Sequence, residues 1–176
     1  MTIAQLTTHP FDNQDFLGPE AANVKRALRQ LAGGVCVIAA GRGEDRTGAT
    51  VTSATGLSME PPTMIVSINR NSSTWPVIAR YGHFSVNVLG ENQQSIADRF
   101  AGVGGAKGAA RYEGSAWTTL VSGAPVLTSA LSAVDCEVEE VIERHSHAII
   151  IGRAVAVLAG EGRSLVYQNG AYARLV

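Results

Sequence analysis

The chain has 176 residues, the length of one domain, and 45% of them are hydrophobic, so it can bury a core without disulfides or a structural metal. Its formal net charge is −1, which disfavours a nucleic-acid-binding protein because such proteins carry a clustered excess of basic residues. Only 16% of the residues are charged and 19 are glycine, a composition that excludes a disordered chain and indicates many turns.

The first 19 residues are polar and aperiodic, and they predict an arm before one domain over residues 20–176. The arm has neither the basic start nor the apolar stretch of a signal peptide, and nowhere do eighteen apolar residues follow one another. Cys36 and Cys136 lie in apolar, strand-like runs. We therefore expect a cytoplasmic protein in which both cysteines are reduced core residues.

Hydrophobic periodicity and turn residues predict mostly strands with three short helices. The helices are predicted over residues 20–32, 75–80 and 91–101. Strands are predicted over residues 35–40, 48–54, 64–68, 83–89 and 147–158, with another through Val134, Cys136 and Val138 and a closing hairpin around Gln168, Asn169 and Gly170. Together these elements predict a mainly β fold, a β-barrel decorated by a few short helices.

Several local features carry their own expectations. The glycine pair at 33–34 should end the first helix, and the alternation of polar and apolar residues over 83–89 predicts a half-exposed strand. The alternation begun at Val134 slips at 140–141, as a β-bulge would make it. The glycine- and alanine-rich segment 102–110 predicts a mobile loop.

Three motifs that could carry chemistry fail on their spacing. The glycines of 102–108 lack the pattern of a phosphate-binding loop and follow a helix rather than a strand. His145 and His147 would share one strand face, but no further ligand is spaced to complete a metal site, so none is predicted. The alternating acidic residues over 135–139 predict a solvated strand face rather than a set of catalytic carboxylates.

Small polar residues are concentrated before and after Pro61 and Pro62. Hydroxyl groups recur over residues 50–58, and Ser, Asn, Arg and Thr side chains fill residues 67–74. Hydroxyls at the start of a helix can bind a phosphate, and a strand with small side chains lets a flat heterocycle approach its backbone. The alternative is a polar turn with an ordinary helix cap at Asn71, Ser72 or Ser73.

An ordered set of segments resembles the short-chain flavin reductase family, the reductase components of two-component flavin-dependent monooxygenases. The segments are residues 34–38, 50–62, 84–89, 97–101, 147–155 and 167–172. They cover nearly the whole chain from Glu20 onward, and the ordered set is more specific than any one segment.

The resemblance implies an FMN-binding split β-barrel of Greek-key type that binds FMN or FAD, usually as a homodimer with the flavin near the subunit interface. It implies that the strand Thr50, Val51, Thr52, Ser53 and Ala54 lines the isoalloxazine ring. Further implied flavin contacts are Ser67, Ile68 and Asn69 at the ribityl chain, Ser72, Ser73 and Thr74 at the phosphate, and the pair Arg99 and Phe100.

The resemblance also implies where a nicotinamide dinucleotide is received. This region comprises His147 as the catalytic position and the turn Tyr167, Gln168, Asn169, Gly170 and Tyr172. No Rossmann fingerprint is present, and none is needed where the dinucleotide binds loosely over the flavin. Hydride transfer requires no general base, so His147 should position the nicotinamide or contact reduced flavin; the alternative is a buried core histidine. Many relatives have Gly-Asp just before this histidine, where this chain has Arg144, His145 and Ser146. The missing carboxylate leaves the orientation and protonation of His147 open, and Arg144 or His145 could instead contact the pyrophosphate or adenosine.

The function implied is an NAD(P)H:flavin oxidoreductase that passes hydride from NADH or NADPH to FMN or FAD. Free reduced flavin would diffuse to a separate monooxygenase without a stable complex. Two alternatives remain: a pyridoxamine-phosphate-oxidase-like enzyme, and a flavin- or haem-binding module without turnover. No membrane or nucleic-acid partner is expected.

Overall fold

The structure, a computed structural model, describes residues 17–174. The predicted arm therefore lies almost entirely outside the described residues; its last three, 17–19, form an exposed segment without regular structure. None of the helices within 17–174 is long and apolar enough to cross a membrane.

The described chain contains the three short α-helices that the hydrophobic pattern predicts and twelve strands, more than the pattern identifies. The helices are α1 (Ala21–Leu28), α2 (Thr74–Tyr81) and α3 (Gln94–Ala101). The strands are β1 (Gly33–Gly34), β2 (Cys36–Ala40), β3 (Thr47–Val51), β4 (Thr55–Met59), β5 (Pro62–Asn69), β6 (His83–Val88), β7 (Trp117–Thr119), β8 (Pro125–Leu127), β9 (Ser132–Arg144), β10 (His147–Ala159), β11 (Leu165–Gln168) and β12 (Ala171–Arg174).

Seven strands form one antiparallel sheet in the order β3-β2-β6-β9-β10-β5-β4, so β3 and β4 lie at its opposite edges. Residues 52–54 alone join these two strands, and three extended residues span only about 10 Å. The sheet must therefore curl until its edges meet, and the Ser53 hydroxyl donates to the Ser67 carbonyl of β5 at 3.0 Å. Two smaller sheets, β1-β11-β12 and β7-β8, pack beside this barrel. The predicted mainly β barrel is confirmed.

Two apolar clusters lie on the two sides of β2. Ile38 belongs to the cluster inside the barrel, with Phe84 and Ile150, whereas Val37 belongs to the outer cluster with Phe100 and Tyr112. Alternate residues of a strand point to opposite faces, so β2 is buried on both sides. Its sequence is accordingly a continuous apolar run rather than an alternating one.

The predicted half-exposed strand over 83–89 is wrong in its exposure, because β6 is buried on both faces. The Asn87 side chain donates to the Val37 carbonyl at 3.0 Å and accepts from the Leu127 amide at 2.8 Å. Ser85 donates to the Pro125 carbonyl at 2.5 Å. Polar residues that find such partners can occupy a core position, so alternation identifies two faces without showing that one is solvated.

The predicted solvated acidic face on the next strand, β9, is also wrong at its first member. Asp135 is fully buried, and its carboxylate accepts hydrogen bonds from the Ser122 amide at 2.8 Å and from the Ser122 hydroxyl. Glu137 and Glu139 do face outward and pair with Arg153. The segment that precedes β8 covers only the beginning of β9, where Asp135 lies. No local sequence pattern reveals this contact.

Several element boundaries differ from the predictions. The first helix ends at Leu28, and residues 33–34 form β1 instead of a helix end. The strand predicted over 48–54 ends at Val51, and α3 begins at Gln94 rather than 91. The bulge in β9 falls between Val138 and Glu140, one residue before the predicted slip. Two 3₁₀ turns, Val103–Gly105 and Gly108–Tyr112, occupy most of the predicted loop over 102–110.

The two cysteines confirm the expectation of reduced core residues. Cys36 and Cys136 are both buried and unbridged. Burial raises the pKa of the Cys36 thiol to about 11 and that of Cys136 to about 12, so neither forms a reactive thiolate at neutral pH.

Candidate functional site

Hydroxyl groups are concentrated where β5 leads into α2. Thr74, the first residue of α2, is fully buried, and its hydroxyl has no hydrogen-bond partner among the described residues. The buried Ser72 hydroxyl likewise has none, whereas the Ser73 and Thr47 hydroxyls lie 3.2 Å apart. Buried polar groups are rarely left unpaired, so this hydroxyl cluster (Thr47, Ser72, Ser73 and Thr74) is equipped for an acceptor-rich ligand.

Asn69 organises the backbone ahead of that cluster. Its side-chain oxygen accepts from the Asn71 amide at 2.9 Å, and its carbonyl accepts from the Ser72 amide at 3.0 Å. No side chain caps α2, and the residue before the helix, Ser73, already has helical backbone angles. The alternative of an ordinary helix cap at Asn71, Ser72 or Ser73 is therefore wrong, because no side chain of the described residues donates or accepts a capping hydrogen bond at the start of α2.

Three of the predicted site residues lie side by side on the outward face of β5 and β10. In the antiparallel register, His147 lies opposite Asn69 and Ile149 lies opposite Ser67. Ile68, between the two polar residues of β5, points the other way and is buried in the barrel core. Because the Ser53 hydroxyl donates to Ser67, residues 52–54 border the same surface.

His147 begins β10 and is exposed, so the alternative of a buried core histidine is wrong. Its Nδ1 lies 2.9 Å from the Ser146 hydroxyl. His145 lies outside the strand, in a turn with φ of 49°, and so does not share a strand face with His147 as expected. Arg70 braces this turn by donating to the His145 carbonyl at 3.2 Å and pairing with Glu143 at 2.5 Å.

A groove of about 620 Å³ separates α1 from the β11–β12 hairpin. Thr52 lies in its wall together with the predicted hairpin residues Tyr167, Gln168, Asn169 and Gly170. Gly33 allows this approach, since a Cβ on it would lie 2.8 Å from the Cβ of Thr52. The hairpin turns through Asn169 and Gly170, both with positive φ, at the position of the predicted closing hairpin.

The two tyrosines of the hairpin are packed against each other. Their ring centroids lie 5.2 Å apart in an edge-to-face arrangement. Burial, followed by the nearby Asp98 carboxylate, raises the pKa of Tyr172 to about 12. Tyr172 therefore keeps its proton at neutral pH and can act only as a neutral hydrogen-bonding group there.

Three of the predicted flavin contacts lie away from both the β5–β10 surface and the hairpin groove. The Thr50 hydroxyl donates to the Ala97 carbonyl of α3 at 2.6 Å, on the outer side of β3. The Phe100 ring is buried there against Tyr112 and Trp117, with centroids 5.1 and 5.4 Å away. Arg99 is partly exposed on the same helix. Of the remaining strand residues, Val51 and Ala54 pack partly buried against the barrel core.

Sequence reasoning missed several residues that border these surfaces. Thr47 completes the hydroxyl cluster, and Lys25 of α1 and Arg29, the residue after that helix, lie in the wall of the groove. Both basic residues lie on the outward side of the predicted first helix, and from the sequence alone that side looks merely solvated. The structure shows that the β11–β12 hairpin lies opposite it. In residues 17–174 no three His, Cys, Asp or Glu side chains are grouped to hold a metal ion.

A β-barrel with a hydroxyl cluster at a helix start, beside a groove, has the features of a nucleotide-cofactor site built without a Rossmann fold. The chain belongs to the flavin reductase like domain family, which it matches over residues 28–176. The family resemblance, the split-barrel fold and the assignment as an oxidoreductase of the flavin reductase class are thereby confirmed.

Individual relatives agree with the family match. The chain is 36% identical over 159 residues to FMN reductase (NADH) RutF 2 of Methylorubrum extorquens, covering 88% of this chain and 91% of that protein. It is 33% identical over 153 residues to the reductase component of 4-hydroxyphenylacetate 3-monooxygenase of Thermus thermophilus, covering 86% and 95%. A flavin reductase domain protein of Arthrobacter sp. FB24 is 31% identical, with a TM-score of 0.78 and coverage of 88% and 95%.

Proposed function

We propose that the protein transfers hydride from NADH, or NADPH, to FMN or FAD and supplies the free reduced flavin to a separate monooxygenase. Its relatives include an NADH-dependent FMN reductase and the reductase component of a two-component monooxygenase. These similarities favour the reductase over the pyridoxamine-phosphate-oxidase-like alternative.

One observation in the chain itself carries the proposal most directly. The Ser72 and Thr74 hydroxyls are buried at the start of α2, next to the Ser73–Thr47 pair, and no residue in 17–174 forms a hydrogen bond with either. Free amides of a helix start and several hydroxyls are the donors that a phosphate group requires. The chain therefore fits the phosphate end of a flavin mononucleotide at this point.

The other predicted contacts follow from that anchor. Residues 52–54 are small and border the β5–β10 surface, so their backbone would flank the isoalloxazine ring, with Ser67 and Asn69 at the ribityl chain. Bound flavin supplies the hydride acceptor. The protein then has to orient two cofactors and exclude side reactions, and it needs no proton-transfer residue for the hydride step.

The nicotinamide dinucleotide would approach between His147 and the hairpin groove. His147 is exposed opposite Asn69, where it can contact a nicotinamide lying over the ring. Lys25 and Arg29 give the groove two positive charges, which favour the pyrophosphate of the dinucleotide. We assign His147 a positioning role rather than that of an acid or base.

We further propose a cytoplasmic homodimer whose subunits meet near the flavin. Ile149 is 36% exposed, between His147 and Ile151 on the outward side of β10, and Leu57 and Met59 on the edge strand β4 are 51% and 73% exposed. Apolar side chains this exposed beside a cofactor surface are typical of an interface. Reduced flavin would reach the monooxygenase by diffusion.

The decisive experiment follows NADH and NADPH oxidation at 340 nm, with and without added FMN or FAD. Flavin-dependent turnover is expected, and the fastest pair identifies both substrates. A folded protein that binds flavin but oxidises neither dinucleotide would instead be a binding module without turnover.

A further inference from the structure

A second cavity lies at the turn between β2 and β3, close to β7 and β8. Its volume is about 610 Å³, within the range of small-molecule sites. The polar side chains in its wall are Arg42, Arg46, Trp117, Thr118 and Thr119. None of these residues belongs to the predicted flavin and nicotinamide contacts.

Two buried N–H groups in this wall lack acceptors. The Nε of Arg46 and the Nε1 of Trp117 have no hydrogen-bond partner among residues 17–174. The Arg46 guanidinium lies 4.7 Å over the Tyr112 ring, and the Tyr112 and Trp117 ring centroids are 4.7 Å apart. Cation–π and aromatic contacts thus hold both side chains in the cavity wall, each with an N–H group that the described residues leave unsatisfied.

Arg42 is held over the same cavity. It donates to the Ser122 carbonyl at 2.9 Å, and its guanidinium lies against Gly123. A Cβ on Gly123 would come within 2.7 Å of the guanidinium, and the φ of +86° also favours glycine there. The chain is therefore built to accept a guanidinium at this position rather than merely to expose one.

The cavity carries the positive charge of two arginines. None of its lining residues is acidic, and within the described chain neither Arg42 nor Arg46 forms an ion pair. Asp45, in the same turn, is engaged by Arg80 and by the Tyr81 hydroxyl, each at 3.0 Å. The two guanidinium groups and the indole N–H can only donate hydrogen bonds. Together they favour an anionic ligand whose oxygen atoms accept them.

This cavity is separated from the hydroxyl cluster by strand β3 itself. The Thr47 side chain points to Ser73 and α2, whereas a Cβ on Gly48 would meet the Phe100 ring on the opposite side. Arg46 stacks on Tyr112, which belongs to the same outer cluster as Phe100. Adjacent residues of a strand face opposite ways, so the two groups of donors cannot bind the same phosphate.

We propose that this cavity is a second ligand site that binds a small organic anion through a phosphate or carboxylate group, independently of flavin. The test is calorimetric titration of the full chain, saturated with FMN, with inorganic phosphate and separately with benzoate. One-to-one binding of phosphate indicates a phosphorylated ligand, and binding of benzoate indicates an aromatic carboxylate; either supports the site.

Variants separate this site from nonspecific attraction. Arg42→Gln should weaken the bound probe at least 10-fold, and Arg46→Lys should weaken it because the Nε–H is lost although the charge remains. Arg153→Gln, a similarly exposed arginine on β10, should leave binding unchanged, and FMN affinity should be the same in all three. The proposal is overturned if neither probe binds the saturated protein, if Arg42→Gln binds as tightly as the wild type, or if added FMN competes with the probe.

Discussion

At the scale of single residues, the hydroxyl cluster makes the sharpest prediction. Ser72→Ala combined with Ser73→Ala removes two donors expected to bind the flavin phosphate, while the backbone turn organised by Asn69 stays intact. Hydrogen bonds to charged groups contribute about 1.5–3 kcal/mol each, so losing two of them should raise the dissociation constant for FMN by roughly 100-fold or more. Fluorescence quenching of FMN measures this.

The matched control for that variant is Ser95→Ala, an exposed serine on α3. It should bind FMN as the wild type does. Unchanged affinity in the double variant would move the phosphate to another part of the molecule.

His147→Ala tests the other end of the site. His147 is exposed opposite Asn69, and we propose a positioning role for it. Its loss should therefore raise the KM for NADH roughly 3- to 10-fold, the effect of a neutral hydrogen bond. The dissociation constant for FMN should change less. Steady-state kinetics at saturating FMN and an FMN titration measure the two effects. The reverse pattern, weak flavin binding with normal NADH use, would contradict this division of the site.

His83 predicts a pH dependence of stability. It is buried at the start of β6, and burial lowers its pKa, with Arg42 acting in the same direction and Asp135 and the Ser122 and Gly41 carbonyls opposing. Below pH 6.5, the ordinary pKa of histidine, this side chain is protonated in the unfolded chain but stays neutral in the native protein. Stability present above that pH is therefore lost as the pH falls toward the lowered native pKa.

Melting temperatures between pH 7 and pH 5 measure this loss. The slope should be shallower in His83→Gln than in the wild type, whatever the variant's stability at pH 7. His145→Asn is the control, since His145 is exposed and has a positive φ that asparagine tolerates. Equal slopes in wild type and His83→Gln would show that other groups cause the acid sensitivity.

At the scale of elements, strand β10 depends on a glycine where it crosses the barrel core. A Cβ on Gly152 would lie 2.6 Å from the Phe84 ring and 3.0 Å from the Cβ of Cys136. Gly152→Ala should therefore destabilise the protein by about 1–3 kcal/mol, the usual cost of overpacking. Urea unfolding measures it.

Adding Phe84→Leu should recover part of that loss by making room for the methyl group. Gly34→Ala is the control, because a Cβ on Gly34 would have nothing within 4 Å and the residue is exposed. A Gly152→Ala protein as stable as the wild type would show that β10 can shift to admit a Cβ.

Elements were predictable where one local pattern decided them. The closing hairpin was predicted from Asn169 and Gly170, because few other residues adopt two successive positive φ angles. The exposure of β6 was not predictable, because Asn87 is buried through partners on β2 and β8, far away along the chain. Alternation reports which residues share a face, and long-range packing decides whether that face is covered.

At the scale of the whole molecule, the proposed homodimer predicts a solution mass twice the 18.4 kDa of one chain. Ile149→Asp should shift light-scattering mass toward one chain and weaken FMN binding, because Ser67 lies opposite Ile149. Val103→Asp, another exposed apolar residue, should do neither. A wild-type mass of one chain would contradict the dimer.

The family, the fold class and the candidate site residues could be predicted from the sequence alone. The reason is that glycines, prolines and small hydroxylated residues stand in the order in which the flavin reductase family has them. What required the tertiary structure was which of those residues meet. Ser67, Asn69 and His147 share one surface only because β5 pairs with β10, whereas Phe100 is buried behind β3. Thr47, Lys25 and Arg29 border the candidate site, and Arg42 and Arg46 line the cavity proposed as a second one, only through contacts between distant segments. Local sequence encodes side-chain type and backbone preference, but burial and unpaired donors are properties of the folded chain as a whole.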